Sequence, residues 1–298
     1  VATGWFERRI GLKRSNWLQK PRSIHGVNVR VIIEDSPAAA CVKAACIIGE
    51  QLQRKPASVL GLATGGSPVG VYDELTRLHN CGELDFSKVI TFNLDEYVGL
   101  GPDHSQSYRF FMRTHLFDHV NLPQGSTHVP DGRSLDFDSY CESYESKIRE
   151  HGGIDLQLLG IGTDGHIAFN EPGSSLGSRT RLKTLTSETI RDNARFFGSE
   201  DAVPRLAVTM GVGTILESRC CLLIAYGEHK ASAIAKAVEG PVTAQVTASA
   251  LQLHRDVIVV LDQAAATQLN RQAYYREVED AQSLLESGQL GKLGIGDE

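Results

Sequence analysis

From Val29 onward the chain alternates short β-branched or Leu-rich runs with longer amphipathic ones. That rhythm is the pattern of βαβ units, and it restricts the fold to an α/β protein with a mostly parallel sheet. Strands are predicted at Val29–Ile33, Ser58–Leu62, Val89–Asn93, Leu156–Leu159, Cys220–Ala225 and Val257–Leu261. Helices are predicted at Pro37–Arg54, Pro68–Cys81, Ser107–Leu116, Phe137–His151, Ser187–Phe197, His229–Glu239 and Arg271–Ser287. The strand runs are continuously apolar, as expected when helices cover both faces of the sheet. No repeat, low-complexity stretch or Pro/Gly/Ser-rich linker interrupts this region, so residues 29–298 read as a single α/β domain.

Residues 1–28 differ in kind. Six of their seven charges are basic (Arg8, Arg9, Lys13, Arg14, Lys20, Arg22, against Glu7), although the whole chain is acidic, with 30 Lys+Arg against 36 Asp+Glu. An Arg-rich, acid-poor start is one mark of an organelle presequence, but Pro21 and the lack of an apolar stripe favour a basic N-terminal extension. The net charge of −6 argues against a chain whose main partner is a nucleic acid. No run approaches the about 18 apolar residues of a membrane span, and no signal-peptide order opens the chain. The six cysteines include no C-x-x-C pair, which fits neither a zinc site nor a disulfide framework. Together these features point to a cytoplasmic protein with reduced, mostly buried thiols.

In open parallel sheets ligands bind beyond the carboxyl ends of the strands. The first such end carries Thr64-Gly65-Gly66-Ser67-Pro68 and then a helix. Glycines let backbone approach an anion, and the helix N-terminus aims N–H groups and a positive dipole at it. The loop lacks the G-x-x-x-x-G-K-[ST] pattern, so a small phosphorylated metabolite suits it better than a nucleoside triphosphate. A ligand-free βα turn would read the same from this loop alone. The second strand end carries Asp95 and Glu96, either of which could serve as a base, since burial or a neighbouring negative charge raises a carboxylate's proton affinity. A solvated acidic turn is the plain alternative.

The third end runs Gly160-Ile-Gly162-Thr-Asp164-Gly165-His166 and on to Glu171-Pro172. The formal G-x-G-x-x-G is not a dinucleotide fingerprint, because Pro172 and Gly173 interrupt any long helix and no acidic residue ends a strand at the required distance. An imidazole between Asp164 and Glu171 suits proton shuttling. A metal site and a structural polar turn are the competing readings of the same three residues. Arg179, Arg181 and Lys183 alternate as on a strand, and Arg195 and Lys230 lie on or at the start of predicted helices. Any of these cations could hold phosphate or simply face solvent.

Four segments carry a resemblance: Leu60-Gly-Leu-Ala-Thr-Gly-Gly-Ser-Pro68, Thr91-Phe-Asn-Leu-Asp-Glu-Tyr-Val-Gly99, Gly162-Thr-Asp-Gly-His-Ile-Ala-Phe-Asn-Glu-Pro172 and Ser178-Arg-Thr-Arg-Leu-Lys-Thr184. With Gly211-Val-Gly-Thr214 and Leu251-Gln-Leu-His254 following in order, the chain from about Val29 to about Glu277 resembles the glucosamine-6-phosphate deaminase family. The resemblance implies a Rossmann-like fold and conversion of glucosamine 6-phosphate to fructose 6-phosphate and ammonia, with no metal and no organic cofactor. It makes Asp95 the base between C2 and C1, and His166 the residue that assists ring opening, oriented by Asp164 and Glu171. It gives the substrate phosphate to Gly65, Gly66, Ser67, Arg195 and Lys230. It further implies a homo-oligomer, in many members a hexamer, activated by N-acetylglucosamine 6-phosphate held by Ser174, Arg181 and Lys183. The extension at residues 1–28 departs from the family where its effector site uses the chain's start. Two rival functions are a non-catalytic phosphosugar-sensing module, for which residues 1–28 are too short to supply a helix-turn-helix, and a 6-phosphogluconolactonase-type hydrolase.

Overall fold

The computed structural model describes residues 29–286; the basic extension predicted at residues 1–28 lies outside them. Seven strands form one parallel sheet in the order β1 (Val29–Glu34), β10 (Val257–Asp262), β9 (Cys221–Ala225), β6 (Leu156–Leu159), β2 (Val59–Leu62), β3 (Ile90–Asn93) and β5 (Thr127–His128). All six predicted strands are in it, shifted by a residue at most.

Helices cover both faces. One face packs against α1 (Pro37–Arg54), α2 (Gly66–Asn80) and α3 (Tyr108–His115). The other packs against α4 (Phe137–Glu150), α6 (Val212–Leu216), α7 (Ala231–Val238) and α8 (Gln272–Glu286). Alternation along the strands divides the core: Leu222, Ile224, Ile258 and Val260 face the first layer, whereas Cys221, Leu223, Val257, Val259 and Leu261 face the second. On α1, Ala40, Ala44, Ile48 and Leu52 recur at helical spacing and are all buried. Ser36 caps that helix by accepting from the Ala39 N–H at 3.2 Å, and Pro37 opens it where no intrahelical donor is needed.

The sequence pattern did not predict a second sheet, which is antiparallel and formed by β4 (Asp95–Tyr97), β8 (Leu206–Thr209) and β7 (Arg181–Thr184). Leu94 hands the chain from one sheet to the other: its N–H donates to Leu62 O at 3.1 Å and its carbonyl accepts from Met210 N at 2.7 Å. The remaining helix, α5 (Ser187–Phe197), packs with β4 and β8 over a small aromatic core of Tyr97, Phe169, Leu185 and Ile190. Five of the six cysteines are buried and all six are free.

Candidate active site

The strand order sets where a ligand can sit. From β2 the chain winds outward through β3 to β5, then returns to β6 on the other side of β2 and winds the opposite way through β9 to β10. The crevice between β2 and β6 is therefore the topological switch point, and the segments after β2, β3, β6 and β9 all emerge at the same sheet edge. Those segments hold Gly65, Gly66, Ser67, Asp95, Asp164, His166, Glu171 and Lys230, whereas Arg181 and Lys183 lie on β7 and Arg195 on α5.

After β2, Gly65 is the N-cap of α2 with φ +95°, a left-handed conformation that favours glycine. The helix starts at Gly66, two residues before its predicted start, so Ser67 and Pro68 are still in the first turn and the free N–H groups there point out of the helix. Two tyrosines brace this loop, neither foreseen from the sequence. Tyr226 donates its hydroxyl to Gly66 O at 2.9 Å, and the Tyr108 and Thr64 hydroxyls are hydrogen-bonded.

After β3, Asp95 and Glu96 diverge because successive strand side chains point to opposite faces. Glu96 is spent structurally: its carboxylate accepts backbone N–H bonds from Tyr97 and Tyr108 at 2.9 Å and Arg109 at 3.1 Å, holding the start of α3. Burial nevertheless raises its pKa to about 7. Asp95 is 5 % exposed and has no hydrogen-bond partner among the described residues. Burial, and then the neighbouring Glu96 charge, push its proton affinity well above that of an ordinary carboxylate. A buried carboxylate left unpaired costs folding free energy, and such groups concentrate at functional sites.

After β6, a helix-free loop of residues 160–180 confirms that Gly160, Gly162 and Gly165 do not open a dinucleotide-binding helix. Asp164 Oδ1 accepts the His166 N–H at 3.0 Å and lies 2.7 Å from His166 Nδ1. Asp164 Oδ2 has no donor. Burial is the largest influence on Asp164 and opposes its ionisation, but the His166 side chain and backbone N–H groups together outweigh it and lower the carboxyl's pKa. Glu171, 1 % exposed, stands 3.8 Å from the same Nδ1, beyond hydrogen-bond reach. Its oxygens accept instead from the Thr186 N–H and hydroxyl, both at 3.2 Å, which ties it to the N-cap of α5. Between Gly165 and Glu171, Ala168 has φ 51°, a conformation that costs energy for a non-glycine residue.

The donor atoms of Asp164, His166 and Glu171 all fall within 4.8 Å of one another, so these three residues could in principle hold a cation. The same cluster sets a carboxylate oxygen of Asp164 2.7 Å from the imidazole Nδ1.

After β9, Lys230 donates from Nζ to Ile161 O at 2.7 Å, joining the β9 and β6 segments. Burial lowers its pKa, and the charges of Asp192, Asp164 and Arg195 also act on it. Arg195 is exposed in the last turn of α5, its guanidinium 4.7 Å above the Phe196 ring. Of the three predicted effector residues, Arg181 and Lys183 lie on the same side of β7, and Ser174 is buried with its hydroxyl unpartnered. Arg181 donates to Asn170 Oδ1 at 2.9 Å, a link into the His166 to Glu171 loop that the sequence did not reveal.

A glycine turn at a helix start, a buried carboxylate and an imidazole beside carboxylates thus stand on different loops around one switch point of an α/β sheet. The chain belongs to the family of glucosamine-6-phosphate isomerases and 6-phosphogluconolactonases, whose model matches residues 34–260. It is 52% identical over 267 residues to the glucosamine-6-phosphate deaminase of Shewanella loihica, covering 90% of this chain and 99% of that protein. It is 55% identical over 238 residues to the corresponding protein of an Arthrobacter species, covering 80% and 92%. A solved monomeric glucosamine-6-phosphate deaminase is 44% identical with a TM-score of 0.79, covering 80% of this chain and 99% of its own. A 6-phosphogluconolactonase from Trypanosoma brucei shares the fold, with a TM-score of 0.63 at 21% identity over 80% of this chain and 98% of its own. Among the described residues no helix is long and apolar enough to cross a membrane.

Proposed function

We propose that this chain is a cytoplasmic glucosamine-6-phosphate deaminase, converting glucosamine 6-phosphate and water to fructose 6-phosphate and ammonia. The observation that carries the reading is the 52% identity to a deaminase along 90% of the chain; the solved 6-phosphogluconolactonases of Trypanosoma brucei and Thermotoga maritima match at 21% and 19% identity, which speaks for the fold alone. Gly65, Gly66, Ser67, Lys230 and Arg195 take the phosphate, which orients the sugar by contacts remote from the reacting carbons. His166, with Asp164 supporting its charge and Glu171 walling its other side, moves the proton that opens the ring. Asp95, in its ionised form, removes the proton on C2 of the open-chain amino aldehyde to give an enolamine. The same carboxyl returns the proton to C1, leaving an imine at C2 to which water adds as ammonia departs. The scheme needs no metal and no organic cofactor.

A sensing module would give no purpose to a buried, unpaired Asp95, so catalysis is the better reading. The proposal extends to a homo-oligomer, a hexamer in its fullest form, activated by N-acetylglucosamine 6-phosphate at Ser174, Arg181 and Lys183. The Arg181 to Asn170 bond supports it, because a ligand on Arg181 would act on the loop that carries Glu171. A coupled assay of ammonia and fructose 6-phosphate, with and without a chelator and with and without the acetylated sugar phosphate, tests both parts. Equal release of both products, insensitive to chelator, is the expected result; binding without either product would overturn the enzymatic reading. Sedimentation of the full chain reads the oligomer.

A further inference from the structure

A cavity of about 350 Å³ lies on the side of β4 that Glu96 faces, between that strand, α3, α4 and the segment after β5. Three cations line it: Arg109 from α3, Lys147 from α4 and Arg133 from the loop between β5 and α4. Several cations elsewhere in the molecule are paired with carboxylates, Arg30 with Glu279, Lys55 and Arg219 with Asp155, Arg179 with Glu145. Among the described residues the cavity's three have no carboxylate within ion-pair distance; the side-chain bond of Arg109 goes to Val129 O at 3.2 Å.

Two acids in the lining offset the three cations only in part: Glu96 acts on Arg109 through space, and neither acid ion-pairs with any of the three. Glu96 spends its oxygens on three backbone N–H groups, and Asp131, exposed on the rim, accepts from the Arg133 N–H. The walls are built rather than loose. Gly99 N donates to Gly132 O at 2.7 Å, Tyr140 accepts from the Asp131 N–H at 2.8 Å, and the Tyr144 hydroxyl donates to Asn93 O at 2.8 Å. Arg133 lays its guanidinium across Gly101, where a Cβ would stand only 3.3 Å from Nη1. His128, also in the lining, registers the field: burial first, then Lys147, His151 and Arg109, push its pKa down to about 4.

We propose that this cavity is a second anion site, separate from the cradle at residues 65–67, that takes the dianionic head of inorganic phosphate or a small phosphate monoester. Two guanidinium forks and one ammonium suit a phosphate's oxygens and charge. The volume exceeds a bare phosphate and reaches the range of small-ligand sites, which leaves the tyrosine wall for the body of an ester.

His128 provides a readout that binding at the cradle would not move. Its ring signal, assigned with His128→Gln, is followed by NMR while phosphate or glycerol phosphate is added to the full chain at constant ionic strength. The expected result is a saturable shift, with the ring's pKa rising by about half a unit or more as an anion offsets the three cations. Arg133→Ala/Lys147→Ala, which alters two exposed side chains, should weaken saturation at least about tenfold and leave turnover in phosphate-free buffer unchanged. Tighter binding of the ester would identify an ester as the occupant, and equal binding the phosphate group alone; either supports the site. A His128 signal unmoved by phosphate, moved equally by chloride, or moved equally in the double variant would overturn it.

Discussion

Replacing Asp95 by Asn separates the folding role of this residue from its chemical one. The side chain is 5 % exposed and unpaired, so the carboxylate loses hydration without gaining donors, and the Glu96 charge adds repulsion. Asparagine keeps the shape and removes the charge. Because the folded chain binds the Asp95 proton more tightly than the unfolded chain, wild-type stability falls as pH rises from about 3.9 toward the raised folded value, then levels off. The Asn variant lacks this loss, so its advantage is nil at low pH and full above the folded pKa. Every tenfold difference in proton affinity between folded and unfolded chain is worth ~1.4 kcal/mol, or roughly 3–5 °C in melting temperature at this chain length. In activity the direction reverses: loss of the base should cost about 10²–10⁴-fold in kcat, ~3–5 kcal/mol of transition-state stabilisation, while phosphosugar binding persists. In the wild type, kcat/KM should rise with pH through the raised Asp95 pKa. Thermal melts from pH 4 to 8 alongside the ammonia assay read both sides. A variant within tenfold of wild-type activity, or one clearly less stable at pH 8, would refute the assignment.

Lys230→Ala should lower kcat/KM by about 10–100-fold, mainly through KM, because it removes a charge-assisted donor already desolvated at the switch point; substrate titration checks this. Asp155→Ala should cost about 2–4 kcal/mol in urea unfolding. That buried carboxylate accepts from Lys55, Arg219 and the Val59 N–H; both cations are about half exposed and can relax into solvent, but the amide cannot. Gly132→Ala should lower the melting temperature by roughly 5 °C or more, since its Cβ would lie 2.0 Å from Tyr97 O and force apart the two loops joined by the Gly99 to Gly132 bond.

The parallel sheet was legible because its central strands, such as Cys221–Ala225 and Val257–Asp262, are buried on both faces and therefore written as mostly apolar runs. Leu156–Leu159 and Cys221–Ala225 could be read with almost no help from neighbours. Pro37–Arg54 and Ser187–Phe197 were legible to the residue, because Ser36 and Thr186 cap them and Gly198 ends the second in a left-handed turn. The antiparallel sheet was not. Its strands have three or four residues, and Asp95–Tyr97 reads as an acidic turn until Leu206–Thr209 pairs with it. Helix α2 likewise begins earlier than Pro68 suggested, since Gly66 and Ser67 have no helical signature of their own.

The types of chemistry were written in the chain: a glycine turn before a helix, carboxylates at a strand end, an imidazole among acids, each in a local motif. What each residue does depended on neighbours distant in sequence. Asp95 and Glu96 are equivalent on paper, and only the pleat of β4 sends one into an unpaired, buried position and the other onto the N-terminus of α3. Asp164 and Glu171 flank His166 in the sequence as equivalent carboxylates, yet Thr186 draws Glu171 away from the ring. Local propensity and burial pattern act over a few residues and so can be read from one segment. Desolvation, the sharing of donors and the convergence of cations such as Arg109, Arg133 and Lys147 are sums over segments that only folding brings together.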